Sequence, residues 1–160
     1  MRKWISVSAR AALALSLASG LCVQLGFTAD GGNQEKASKA AADSLFKRLG
    51  GKEAIVAVVD DFVARVGADK RINKFFAKTD LTKLKMHLVN QICEASGGPC
   101  KYTGRSMKET HKGMGVSGAD FSALVEDLVA TLDKFKVGEK EKNELLSVLG
   151  PMKSDIVEKP

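Results

Sequence analysis

The chain has 160 residues, 44% of them hydrophobic, 28% charged and 6% aromatic, with a formal net charge of +6. These values fall in the ordinary range of a globular protein with one compact domain. The basic excess is modest and is scattered as lysine along segments that also carry Glu and Asp, with no basic stripe interleaved with aromatics, so no nucleic-acid partner is expected.

The amino terminus carries Arg2, Lys3 and Arg10 ahead of an apolar run over 11–23, which contains Ala18, Ser19 and Gly20. A charged start, a short apolar stretch and small residues predict an export signal over residues 1–29, cleaved after Gly20 or after Ala29. The run is too short to span a bilayer comfortably. Leu21 stands where a small residue precedes a lipidated cysteine, so Cys22 is not expected to carry a lipid. The expected product is periplasmic or secreted, with no stable membrane association once the signal is removed. Residues 30–43, rich in Gly, Lys, Ala and Gln, lack hydrophobic periodicity and are expected to form a flexible linker.

From Ser44 to Pro160 the apolar residues recur at helical spacing with no sustained alternation, which predicts an all-α domain. A short first helix over 44–49 is stopped by Gly50-Gly51. A second begins near Lys52 and gathers Ile55, Val58, Val59, Phe62, Val63 and Val66 on one face. The chain turns at Ala68-Asp69-Lys70, and a brief helical segment ends in Phe75-Phe76. Asp80 is the expected N-cap of a helix bearing Leu81, Leu84, Leu88, Ile92 and Ala95, which ends at Gly97-Gly98-Pro99. Residues 100–116 read as largely irregular, with one short helix over 107–111. Ser117 caps a long helix over 118–135, and a last one covers 139–157, bent or interrupted by Pro151. No internal repeat is present.

The only histidines are His87 and His111. A zinc site needs three or four converging donors, and no spacing here supplies them. There is no Gly-x-Ser-x-Gly elbow and no phosphate-cradling glycine loop. Apolar helical faces and an irregular stretch beside a histidine suit a haem pocket, which needs one imidazole, an apolar slot, and cations or hydroxyls for the propionates. They suit equally an unadorned helical bundle with surface histidines.

Gly50-Gly51, Phe62, Phe75-Phe76, Gly97-Gly98-Pro99, Tyr102-Thr103-Gly104 and Met107-Lys108-Glu109-Thr110-His111-Lys112-Gly113 occur in the order found in group I truncated haemoglobins, and residues 44–160 resemble that family along their whole length. The resemblance implies a two-over-two helical sandwich around haem b (iron protoporphyrin IX), and reversible binding of dioxygen, carbon monoxide or nitric oxide. It also implies that His111 is the proximal iron ligand, its other ring nitrogen donating to a carbonyl or water. Phe76 corresponds to the ring packed against the porphyrin. Leu84, Met107, Val116, Phe121 and Leu124 are expected to line the slot, and Tyr102 and Arg105 to stand at the haem edge and its propionates.

Two positions depart from the family. Its members commonly carry a tyrosine after the phenylalanine of the second helix and a glutamine in the distal helix, where this chain has Val63 and Leu88. Neither can donate a hydrogen bond, so retention of dioxygen is expected to be weak, and efficient nitric oxide dioxygenation is disfavoured. His87, on the distal helix, either serves as a second axial ligand, as in some cyanobacterial relatives, or faces solvent or a propionate. Six-coordinate iron would suit an electron-transfer protein with a redox partner; nitric oxide oxidation or nitrite reduction would need an external reductant. The seven-residue spacing of Cys93 and Cys100 across a glycine turn, in an exported chain, predicts a disulfide.

Overall fold

The computed structural model describes residues 44–159, so the expected signal peptide, its cleavage and the linker lie outside the described residues. Helix α1 (Leu45–Arg48) is one turn long. It meets α2 (Gly51–Ala68) at a corner in which Gly50 and Gly51 have φ of 92° and 77°, a left-handed backbone that costs a side-chain-bearing residue steric energy. Helix α2 therefore starts one residue earlier than its apolar pattern suggests, because the pattern locates the buried face and the glycine pair locates the corner.

Buried Ile55, Val59, Phe62, Val63 and Val66 recur on the inward stripe of α2. Each removes most of its apolar surface from water, worth about 1.5–3 kcal/mol for a fully buried aliphatic or aromatic side chain. After a 3-10 turn at Asn73–Phe76, Asp80 caps α3 (Leu81–Ala95) by accepting from the Lys83 amide at 3.1 Å. Helix α3 contributes Val89, Ile92 and Cys93 to the same core.

A single helical turn, α4 (Met107–His111), interrupts the irregular stretch that follows. It forms because Ser106 and Glu109 cap it reciprocally: the hydroxyl accepts from the Glu109 amide at 3.2 Å, and the carboxylate accepts from the Ser106 amide at 3.2 Å. Ser117 and Asp120 repeat the device at the start of α5 (Gly118–Lys134). Helix α6 (Glu139–Leu149) gives way to a 3-10 turn at Gly150–Met152 and then to the short α7 (Lys153–Ile156). Pro151, which has no amide proton to donate, interrupts the last predicted helix as expected.

Helix α2 packs against both α3 and α5, while α1 lies on α2 and α6, and α7 lies on α4. The core is closed by Ala123, Leu128 and Leu132 of α5, Leu145 of α6, and Ile72. No β-strand occurs among the described residues; a single parallel bridge joins Ser117 to Lys159.

Candidate functional site

Between these helices lies a cavity of roughly 890 Å³. Its wall takes in every residue the sequence offered as a haem contact or ligand: Phe76, Leu84, His87, Leu88, Tyr102, Arg105, Met107, His111, Val116, Phe121 and Leu124. Val63, on the second helix, is also in the wall and is 5% exposed. The lining is predominantly apolar, as expected of a site for a large flat hydrophobic group.

His111 is the last residue of α4 and is half-buried. Its Nδ1 lies 2.8 Å from the carbonyl oxygen of Met107, one turn back. A carbonyl only accepts, so Nδ1 must carry the proton, and the neutral ring keeps its lone pair on Nε2. An imidazole oriented in this way is a metal donor held by its own helix.

His87 comes to the cavity from α3. Its Nδ1 is buried and has no hydrogen-bond partner among the described residues. An unpaired buried polar atom costs free energy, and this one is shielded even beside so large a cavity, so His87 lines the wall through the rest of its ring. The ring meets Tyr102 edge-on, with centroids 6.0 Å apart and planes at 70°.

The rim is built from the irregular stretch. The Tyr102 hydroxyl donates to the Arg105 carbonyl at 2.7 Å, and burial pushes that phenol above its ordinary pKa. The Tyr102 amide donates to Glu94 at 3.0 Å, which, with the nearby Lys101 ammonium, holds the Glu94 carboxyl below the usual carboxylate range. Arg105 is exposed, and its guanidinium makes no hydrogen bond or ion pair among the described residues. With Lys83 and Lys153 it places cations at the cavity wall, where acidic groups of an occupant could meet them. Cys93 and Cys100 are joined as a disulfide with a Cα–Cα distance of 5.7 Å, which ties the end of α3 to the start of the rim.

Sequence reasoning missed several wall residues. Gln91, one helical turn beyond His87, directs its amide at two thioethers, 3.2 Å from Met152 Sδ and 3.6 Å from Met107 Sδ. Phe75, Met114, Leu146, Leu149 and Met152 also line the cavity. The i, i+4 spacing of His87 and Gln91 was the available signal, since residues so placed share a helix face. Met152 follows a proline, and no periodicity reaches across that break.

A model of the family described as bacterial-like globin matches residues 44–158. A group 1 truncated haemoglobin of Synechocystis is 40% identical over 111 residues, covering 67% of this chain and 90% of that protein. Another, from Mycolicibacterium paratuberculosis, is 35% identical over 118 residues, covering 74% of this chain and 87% of its own. Among solved structures, the Fe(III) form of the truncated haemoglobin of Tetrahymena pyriformis superposes with a TM-score of 0.69 at 33% identity, covering 72% of this chain and 98% of that one. The two-over-two haemoglobin of Synechococcus, in a cyanomet state with covalently attached haem, gives 0.68 at 33% identity, covering 72% and 99%. The all-α architecture, the cavity and the ordered residues from Gly50 to Gly113 thus have one common explanation: the chain belongs to the bacterial-like globin family, as a truncated haemoglobin of the two-over-two type.

Proposed function

We propose that the cavity holds haem b, with Nε2 of His111 as the proximal donor to iron, and that the protein reversibly binds dioxygen and other diatomic ligands. The observation that carries this reading is the orientation of His111. Its Nδ1 is spent on the Met107 carbonyl at 2.8 Å, which leaves Nε2 as the basic nitrogen of a ring in the cavity wall. The rest of the wall fits the same occupant. Phe76, Leu84, Phe121 and Leu124 offer apolar surface to a porphyrin, and Arg105, Lys83 and Lys153 offer cations to propionates.

Haem, when bound, supplies the iron on which a diatomic ligand sits; the chain supplies the axial nitrogen, the dry slot and the polarity of the distal side. That distal side is poor in donors, because Val63 and Leu88 carry none. His87 is the imidazole that α3 brings to the cavity wall, and that placement supports a role facing the occupant. The relatives are named as haemoglobins, which favours ligand binding over the electron-transfer and nitric-oxide-detoxification alternatives. Residues 1–29 support export to the periplasm or beyond; no helix among the described residues is long and apolar enough to cross a membrane.

Absorption spectra of reconstituted native protein, His111→Ala and His87→Ala, with and without carbon monoxide, test this. Native protein should take up haem and show a carbon monoxide complex, and His111→Ala should lose the haem or change its axial coordination. Colourless native material, or coordination that His111→Ala leaves intact, overturns the reading. Conversion of a six-coordinate native spectrum to a five-coordinate one in His87→Ala identifies His87 as the distal ligand; an unchanged spectrum excludes it.

A further inference from the structure

Helix α4, which carries His111, is only five residues long. A single turn is below the length at which helices sustain themselves, so its geometry must be imposed from outside. The Ser106–Glu109 capping box does this at the amino-terminal end. At the carboxyl-terminal end the chain leaves through Lys112 and a loop in which Gly113 and Gly115 have φ of 79° and 67°. Among the described residues, this loop's hydrogen bond back to the helix is Met114 N–H to the His111 carbonyl at 3.0 Å.

The missing restraint comes from the end of the fold. The two carboxylate oxygens of Glu158 accept from the amides of Gly113 and Gly115, both at 2.6 Å. The main chain of the same segment reinforces this. The Glu158 and Lys159 amides donate to the Val116 carbonyl at 2.9 and 3.1 Å, and the Gly118 amide donates to the Lys159 carbonyl at 3.2 Å. A carboxylate is acceptor-only with two oxygens, so it suits two amides that glycine backbones turn toward one point. Such charge-assisted bonds are stronger than neutral ones. Helix α7, which delivers Glu158, packs on α4 itself.

We propose that Glu158 is the positioning residue for His111: by clamping the loop that leaves α4, it fixes the rotation and depth at which the imidazole enters the cavity. This rests on His111 being the iron ligand. The role is distinct from that of Met107, whose carbonyl sets which nitrogen carries the proton. Glu158 sets where the ring stands.

The test uses the haem-loaded ferrous protein in a His87→Ala background, which keeps the iron five-coordinate, and compares Glu158→Ala and Glu158→Gln with that parent as native. Resonance Raman reads the iron–histidine stretching band, which follows the tilt and strain of the axial bond. Transfer to an acceptor apoglobin reads haem release, and amide exchange reads Gly113 and Gly115. Glu158→Ala should shift and broaden the band, release haem about tenfold faster or more, and unprotect both amides. Glu158→Gln, which keeps one accepting oxygen, should fall between. Lys142→Met, in α6, serves as a control for general destabilisation and should lower the melting temperature without moving the band. A band at the native position in Glu158→Ala, or an equal displacement in the control, overturns the proposal. If His111 is not the ligand, His111→Ala leaves the band in place, so that failure is told apart from this one.

Discussion

Replacing Val63 by tyrosine restores a hydroxyl donor to the distal wall and tests the claim that this pocket holds dioxygen loosely. Val63 is 5% exposed and sits on α2 with its side chain at the cavity. A larger side chain there is opposed by packing, at a cost of about 1–3 kcal/mol if the neighbours must shift. The adjoining cavity space relieves part of that cost. A hydrogen bond to a partly charged ligand contributes about 1.5–3 kcal/mol, which corresponds to roughly tenfold to a hundredfold slower ligand release. The assay is stopped-flow mixing of the oxygenated ferrous protein with excess carbon monoxide, which makes dioxygen dissociation rate-limiting. Val63→Leu enlarges the side chain without adding a donor and should release dioxygen at close to the native rate. If Val63→Tyr binds haem normally yet releases dioxygen as fast as Val63→Leu, the absence of a donor at this position is not what weakens retention.

Two further outcomes follow from the packing around the site. Reduction of the Cys93–Cys100 bridge, or Cys93→Ser with Cys100→Ser, reopens a loop whose ends are 7 positions apart. Chain entropy for so short a loop is worth about 2.5 kcal/mol, so thermal melting should fall by about 10 °C; an unchanged melting temperature would show the bridge to be energetically idle. Asp127, 8% exposed on α5, has an Oδ2 without a hydrogen-bond partner among the described residues, and its carboxyl is pushed above the ordinary range chiefly by burial and then by the charge of Asp69, with Arg65 pulling it down. The folded state therefore binds this proton more tightly than the unfolded chain does. Its ionisation costs stability as the pH rises from the unfolded value of about 3.9 through the raised folded one. Asp127→Asn should match native in urea melts at the acid end and exceed it at neutral pH; equal stability at both ends would refute the assignment.

Helix starts were legible because their chemistry is local. Asp80 and Ser117 each lie within three residues of the amide they cap; the Ser106–Glu109 box is as local, but the sequence reading placed its short helix without naming the cap. The α2 face was legible because five buried side chains keep one period. Pairings at long separation were not. Nothing in the residues near His111 indicates that Glu158, more than forty positions later, will hold its loop. Gln91 was missed for a different reason: on a helix with lysines and an exposed Met86, an amide reads as solvent-facing. Only the fold shows Met107 and Met152 converging on it.

The same fold shows that several polar groups of the cavity wall are already committed. Nδ1 of His111 is spent on the Met107 carbonyl and the Tyr102 hydroxyl proton on the Arg105 carbonyl. The Gln91 amide is directed at thioether sulfurs, which are weak acceptors, so little is lost if it turns elsewhere. His87 Nδ1 has no partner among the described residues and is buried. On the proposal that His111 is the proximal ligand, the polar residues that α3 brings to the cavity beyond Lys83 are His87 and Gln91, one turn apart, with none at Leu88 or at Val63 of α2. A ligand that accepts hydrogen bonds should therefore be discriminated from carbon monoxide by changes at His87 and Gln91 and scarcely by changes at Leu88, because only the first pair carries protons that can be offered to it.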